Sequence, residues 1–222
     1  MEPRLTGIEE NEVLLYLRYK GGEIPADIME EIHRCMDVMM KAARPRAVWR
    51  QFDLRSDGSL KGTDFFPQGK DIRALLQDCN QVILLGATLG TEVEALLRRA
   101  QVRNMTDAVI LDCCGSSAIE NVLDNLCEDI GGQVEGYLTD RFSPGYGDFP
   151  FAQQPELCRV LDLPRRIGVT LSPGGLMIPQ KSVTALVGVA NRPQTKRFRG
   201  CAYCSQFKNC TYRKGNRTCG HQ

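Results

Sequence analysis

The residues with most chemistry to offer lie between Glu135 and Pro150. Arg141 carries a planar fork of donors suited to a carboxylate, and Tyr137 and Tyr146 each present a flat face with a polar tip. Glu135 and Asp140 are acids able to hold an ammonium group. Gly145 and Gly147 permit close approach of backbone to a ligand, while Pro144 and Pro150 restrict what the loop can do without one. These residue types also build ordinary turns, and composition alone favours that plainer reading.

Cysteine forms the second candidate set. Of ten cysteines, Cys35, Cys79, Cys113, Cys114, Cys127 and Cys158 sit in apolar or helical surroundings, where free thiols serve as small hydrophobes. Cys201, Cys204, Cys210 and Cys219 crowd together with His221 close behind. Such clustering favours a metal over disulfides, and zinc or an iron–sulfur cluster accepts four thiolates. Tyr203, Phe207, Lys208, Tyr212, Arg213, Lys214 and Arg217 interleave aromatics with positive charge there, a pattern also met in zinc knuckles on RNA.

The elements that must position these groups are legible by periodicity. Residues 9–20 read as a short helix or strand ended by Gly21 and Gly22. Pro25 opens a strong helix that Pro45 ends, with Ile28, Met29, Ile32, Met36, Met39 and Met40 on one face and His33 and Cys35 as structural bystanders. Ala47 to Leu54 alternates as a strand, with Trp49 and Phe52 on opposite faces. Asp71 to Cys79 is a short helix, and Gln81 to Gly86 the clearest buried strand. Gly86-Ala87-Thr88-Leu89-Gly90 leads into an amphipathic helix; it lacks three-glycine spacing and reads as a tight turn rather than a dinucleotide site. Thr106 is the expected cap of a long helix to about Ile130, with Ile119, Val122, Leu123, Leu126 and Ile130 as its stripe. Gly115, Ser116 and Ser117 form a small-residue patch permitting close approach. Glu120 stands one step off the stripe, either solvated or directed into a cleft. Glu156 to Leu163 is helical, and Val169 to Val189 reads as two strands around a turn.

With 28 basic and 27 acidic residues in 222, net charge gives no general reason to expect nucleic acid or an anionic membrane as partner. The hydrophobic fraction of 42% supports a core. No apolar run is long enough to span a bilayer and no leader follows Met1, so the expected compartment is the cytoplasm.

Taken together, Glu135-Gly136-Tyr137, Arg141-Phe142-Ser143-Pro144-Gly145-Tyr146, Thr170-Leu171-Ser172, Met177-Ile178-Pro179 and Ser182-Val183-Thr184 resemble, in order, motifs of the activation domain of cobalamin-dependent methionine synthase. The resemblance is specific from about Ser116 to Val189 and closest to free-standing versions of that domain. It implies an α+β fold with a mixed or antiparallel sheet and packed helices over residues 1–190; the resemblance stops before the tail, where the residues themselves read as a linker over 191–200 and a cysteine-rich metal-binding tail over 201–222. It further implies that the chain binds S-adenosylmethionine and supports reductive methylation of cob(II)alamin held by a separate methionine synthase or other corrinoid methyltransferase, with flavodoxin or ferredoxin as electron donor. The implied ligand-binding residues are Glu120, Glu135, Tyr137, Arg141, Ser143, Gly145 and Tyr146. An N-terminal aspartate of the family finds no counterpart, and Asp53 and Asp57 stay unassigned. Beside this reading, an iron–sulfur cluster on Cys201, Cys204, Cys210 and Cys219 would deliver or sense the electron. The alternative is an iron–sulfur or zinc regulatory protein on the same fold without the ligand.

Overall fold

The computed structural model describes residues 3–19 and 24–194. Along the chain the elements run α1 (Glu10–Tyr16), α2 (Ala26–Ala42), β1 (Arg46–Asp53), α3 (Lys70–Leu76), β2 (Cys79–Thr88), α4 (Thr91–Arg103), α5 (Met105–Gly131), β3 (Tyr137–Leu138), α6 (Gln154–Leu161), α7 (Leu163–Ile167), β4 (Thr170–Leu171), β5 (Met177–Ile178) and β6 (Ser182–Ala190).

The apolar run of β2 dictates the layering, because a strand apolar on both faces needs cover on both. Ile83, Leu85 and Ala87 enter one core, and Val82 and Leu84 the other. β6 does the same with Ala185, Val187 and Val189 against Leu186 and Ala190. The sheet is antiparallel with order β1-β2-β6-β3, so these two strands are central. Leu85 lies opposite Trp49 on one side and Ala185 on the other. Helices α1, α2, α4 and α5 contribute to the first core; α3, α6 and α7 contribute to the second, with Phe65, Phe142 and Phe149. The fold is α+β.

Local physics explains most boundaries. α2 follows Pro25 and buries Ile32, Cys35 and Met39, with Met29, Met36 and Met40 partly covered. Ile28, placed by periodicity on that stripe, lies at its margin and is 38% exposed. His33 bonds Glu10 of α1 at 2.8 Å, and burial pushes the Cys35 thiol up to about 11. In β1, Trp49 and Phe52 do face opposite cores.

α5 is the longest element, and its cap differs from expectation. Asn104, not Thr106, takes that role: its backbone is extended, and its side chain accepts from the amides of Thr106 and Asp107. Thr106 is already inside the helix, where it supplies an amide that needs capping. Ile119, Val122, Leu123, Leu126 and Ile130 are each at most 4% exposed. At roughly 1.5–3 kcal/mol per large apolar side chain, this stripe anchors the helix to the sheet.

Residues 169–189 hold three strands rather than two. β4 and β5 form a two-stranded ribbon of their own, and β6 joins the main sheet. Ser172 and Gly175 make the ribbon's turn. Of the expected Gly86–Gly90 turn, Gly86 to Thr88 continue β2 and only Leu89 and Gly90 lead into α4, Gly90 with φ +91, while Gly86 leaves room for Leu163 of α7. Among the described residues no helix is long and apolar enough to cross a membrane.

Candidate functional site

The 139–149 segment is held along β6, past the end of β3. Thr139 N donates to Gly188 O at 3.0 Å, and Gly188 N donates back to Thr139 Oγ1 at 2.8 Å. Phe142 and Leu186 exchange both backbone bonds at 2.9 and 2.8 Å. Beyond that point the chain turns back on itself: Tyr146 N donates to Ser143 O, Gly145 N to Phe149 O, and Phe149 N to Tyr146 O. Phe142 and Phe149 stack beneath it with ring centroids 6.4 Å apart, both buried.

A reciprocal clasp fixes the far end. Asp148 accepts from the amides of Lys70 and Asp71 at 2.6 and 3.0 Å, and Asp71 accepts from the amide of Asp148 at 3.2 Å. Those amides, the first of α3, are otherwise unsatisfied donors. They hold the Asp148 carboxyl below its usual range. Gly147, at φ +50, stands where any Cβ would collide with the Asp71 carboxylate. The turn-rich stretch is therefore a fixed shelf rather than a loose surface turn.

On that shelf Arg141 points inward at α5. Its side chain is 14% exposed. Nη2 donates to Glu120 Oε2 at 2.8 Å and Nη1 to Asp124 Oδ1 at 2.6 Å, with Cys127 Sγ 3.9 Å from Nη1. Burial opposes the charge, but Cys127, Glu120 and Asp124 outweigh it and raise the guanidinium's pKa. A guanidinium has five N–H donors, and three of them are turned to these neighbours. Glu120 is partly exposed and turned to the Arg141 guanidinium.

Two tyrosines close the site. Tyr146 is 66% exposed overall, yet lost hydration at its hydroxyl and then the Glu120 charge raise its pKa, with Arg141 opposing. Tyr16, at the end of α1, is raised further by burial, then by Glu120, Glu12, Tyr146 and Cys113. α1 is pinned there by Ser117, whose hydroxyl donates to Glu12 Oε2 at 2.8 Å and accepts from Glu9 N at 3.2 Å.

One helical turn before Glu120, Ser116 accepts from Lys181 Nζ at 2.9 Å, and Asp112 pairs with the same ammonium at 2.9 Å. The Lys181 stem lies over Gly115, where an added Cβ would meet it at 3.0–3.2 Å. α5 thus presents Asp112, Ser116, Glu120 and Asp124 one turn apart, with Lys181 at one end and Arg141 at the other. With Glu12 this makes four carboxylates against two cations, an imbalance that suits a cationic ligand.

Of the residues singled out from sequence, the structure brings Glu120, Arg141 and Tyr146 together. Ser143 and Gly145 form the turn between the last two, and among the described residues no hydrogen bond engages Ser143 N–H or Gly145 C=O. Glu135 and Tyr137 lie on the approach to and start of β3, both exposed, and no hydrogen bond or ion pair among the described residues joins them to Arg141. Asp53 is engaged by Gln81 and Lys61, and Asp57 by Ser59, away from α5. Cys201, Cys204, Cys210 and Cys219 lie outside the described residues.

Tyr16, Glu12, Ser117, Asp124 and Lys181 are neighbours that sequence reasoning missed. Asp124 carried a signal, since it stands one turn beyond Glu120. Tyr16 and Lys181 carried none, because tertiary packing alone brings them to α5.

No family model matches the chain, and no curated protein matches it in sequence. Its structure is similar to the crystal structure of the MetH reactivation domain bound to AdoHcy, with a TM-score of 0.59 over 85% of this chain and 75% of that one. Identity between the two is 13%. At that distance the likeness establishes a shared fold, and the fold is that of the MetH reactivation domain.

Proposed function

We propose that the chain binds S-adenosylmethionine in the groove between α5 and the Arg141–Tyr146 shelf. Docked on a separate cobalamin-dependent methionine synthase or related corrinoid methyltransferase, it would support reductive methylation of that partner's cob(II)alamin. The observation that carries this reading is the buried Arg141 guanidinium clamped by Glu120 and Asp124 beside Tyr146, on a fold it has in common with a domain crystallised with AdoHcy.

The donor set suits an amino-acid zwitterion with an extra positive charge. The two remaining Arg141 donors would take the carboxylate. Glu120 and Asp124 have further acceptor positions for the ammonium. The acid excess along α5 offsets the sulfonium, and the neutral Tyr146 ring lies where it can face the cationic or aromatic part. Ser143 N–H and Gly145 C=O offer one donor and one acceptor to an adenine edge. When bound, S-adenosylmethionine supplies the activated methyl group. The chain's own residues bind and orient it, and none has to act as acid or base.

Calorimetry of the full chain with S-adenosylmethionine tests this directly. Arg141→Ala should weaken binding by about 30-fold or more, because truncating one partner of a buried hydrogen-bonded charge pair costs about 2–5 kcal/mol. Purified corrinoid protein in the cob(II)alamin state, given a reductant, should regain activity only with both this chain and S-adenosylmethionine. An absence of binding heat with the wild-type chain rules the reading out.

A further inference from the structure

A concavity lies at the β1 edge of the sheet, opposite β3. It is an open depression of about 640 Å³, lined by Arg44, Arg46, Arg166 and Glu92 together with Pro3, Pro45, Ala47 and Ile167. Three arginines thus line it beside a single carboxylate. Arg165, one residue from Arg166, is paired with Asp162 at 3.1 Å, whereas no ion pair among the described residues holds Arg44, Arg46 or Arg166.

Their supports are rigid. Arg44 N donates to Leu89 O at 2.8 Å, and its Nη1 donates to Lys41 O and Ala43 O at 2.8 Å each, which fixes the guanidinium over the end of α2. Arg46 is the first residue of β1, in register with Thr88, and its Nη1 lies beside Gly168 at the end of α7. Arg166 sits on α7 itself, its amide bonded to Asp162 O at 3.0 Å. Glu92 is turned toward Thr91 Oγ1 at 3.3 Å. Among the described residues Glu92 is the one acid lining the depression, so the local charge there favours an anion.

We propose that this depression binds a compact anion carrying two or more phosphoryl groups, with an organic substituent packed on its apolar wall. A lone carboxylate offers two oxygens to three planar forks, whereas linked phosphoryl groups offer several oxygens and enough charge to balance all three. The volume falls within the usual range for small-molecule sites of roughly 300–1,000 Å³, well beyond what one phosphate fills. Pro3, Pro45, Ala47 and Ile167 provide the apolar surface that such sites use for the organic part.

The test is calorimetry of the full chain with inorganic tripolyphosphate, ATP and citrate at low salt, repeated with Arg46→Ala, Arg166→Ala and, as a control on α4 outside the pocket, Arg99→Ala. Tripolyphosphate should bind, should lose at least tenfold in affinity with either pocket variant, and should be unaffected by Arg99→Ala. Tighter binding of ATP confirms use of the apolar wall; equal binding of ATP and tripolyphosphate removes the organic substituent and retains the polyphosphate site. Thermal midpoints within a degree or two of wild type, expected for surface arginines, establish that the variants fold. Citrate binding as tightly as tripolyphosphate, equal loss in the Arg99 control, or no binding to wild type overturns the proposal.

Discussion

Arg141 links the shelf to the helix, and its geometry sets what neighbouring substitutions do. Glu120 and Asp124 hold the fork from one side, so Lys at position 141 can keep the charge but not both bonds. Arg141→Lys should therefore weaken S-adenosylmethionine binding by about tenfold or more, a result that a purely electrostatic role would not give. Asp148 allows a sharper pH test because the α3 amides depress its carboxyl. A depressed folded-state value stabilises above the unfolded one, near 3.9, and that contribution disappears as pH falls through the folded value. The thermal midpoint of Asp148→Asn should lie below wild type at neutral pH and converge with it on acidification below about pH 4. A gap constant across that range would mean the clasp is neutral in character. Arg141 and Tyr146 were legible as chemistry in the sequence because they crowd into one loop. Glu135 and Tyr137 were equally legible by type, but β3 leaves them exposed at the sheet edge.

α5 is the element through which fold and site depend on each other. Its inner stripe packs on the sheet while its polar row pairs with Lys181 and Arg141, so register along one fixes the other. Ser117 is where α1 joins it, and Ser117→Ala removes two bonds at once. Leaving Glu12 and the Glu9 amide unsatisfied should cost about 1–3 kcal/mol, read as a shift in the urea midpoint. The same variant should also weaken ligand binding, because α1 carries Tyr16 to Glu120. Destabilisation with unchanged affinity would show that Tyr16 stands outside the functional groove. β2 and α5 were legible because local periodicity and tertiary burial agree in them. α1 was ambiguous between helix and strand because seven residues carry too few turns of periodicity. The third strand of the 169–189 segment escaped for a related reason: β4 and β5 span two residues each and owe their pairing to a turn rather than to an apolar pattern.

At the scale of the whole molecule, two-sided cover of the sheet decides what the cysteines can do. Cys35, Cys113, Cys114 and Cys158 are buried in the two cores, and desolvation raises every one of these thiols, Cys114 to about 12. Thiols held protonated inside a close-packed core are poor metal ligands and poor nucleophiles. Among the described residues no group of three or more His, Cys, Asp or Glu is placed to hold a metal, so stoichiometric zinc or iron in the purified full chain would point to Cys201, Cys204, Cys210 and Cys219, the set whose spacing first suggested a metal. Cys204→Ser with Cys210→Ser should abolish the metal, and the acid-labile sulfide if the centre is an iron–sulfur cluster. Because the described sheet and both described cores are built from residues up to Ala190, the same double variant should leave S-adenosylmethionine affinity unchanged. Reactivation of a corrinoid partner then separates two roles for the tail. If the cluster delivers the electron, the double variant binds ligand normally yet fails to reactivate the partner with a physiological carrier. Full reactivation by the variant would assign the electron to a direct path from carrier to corrin.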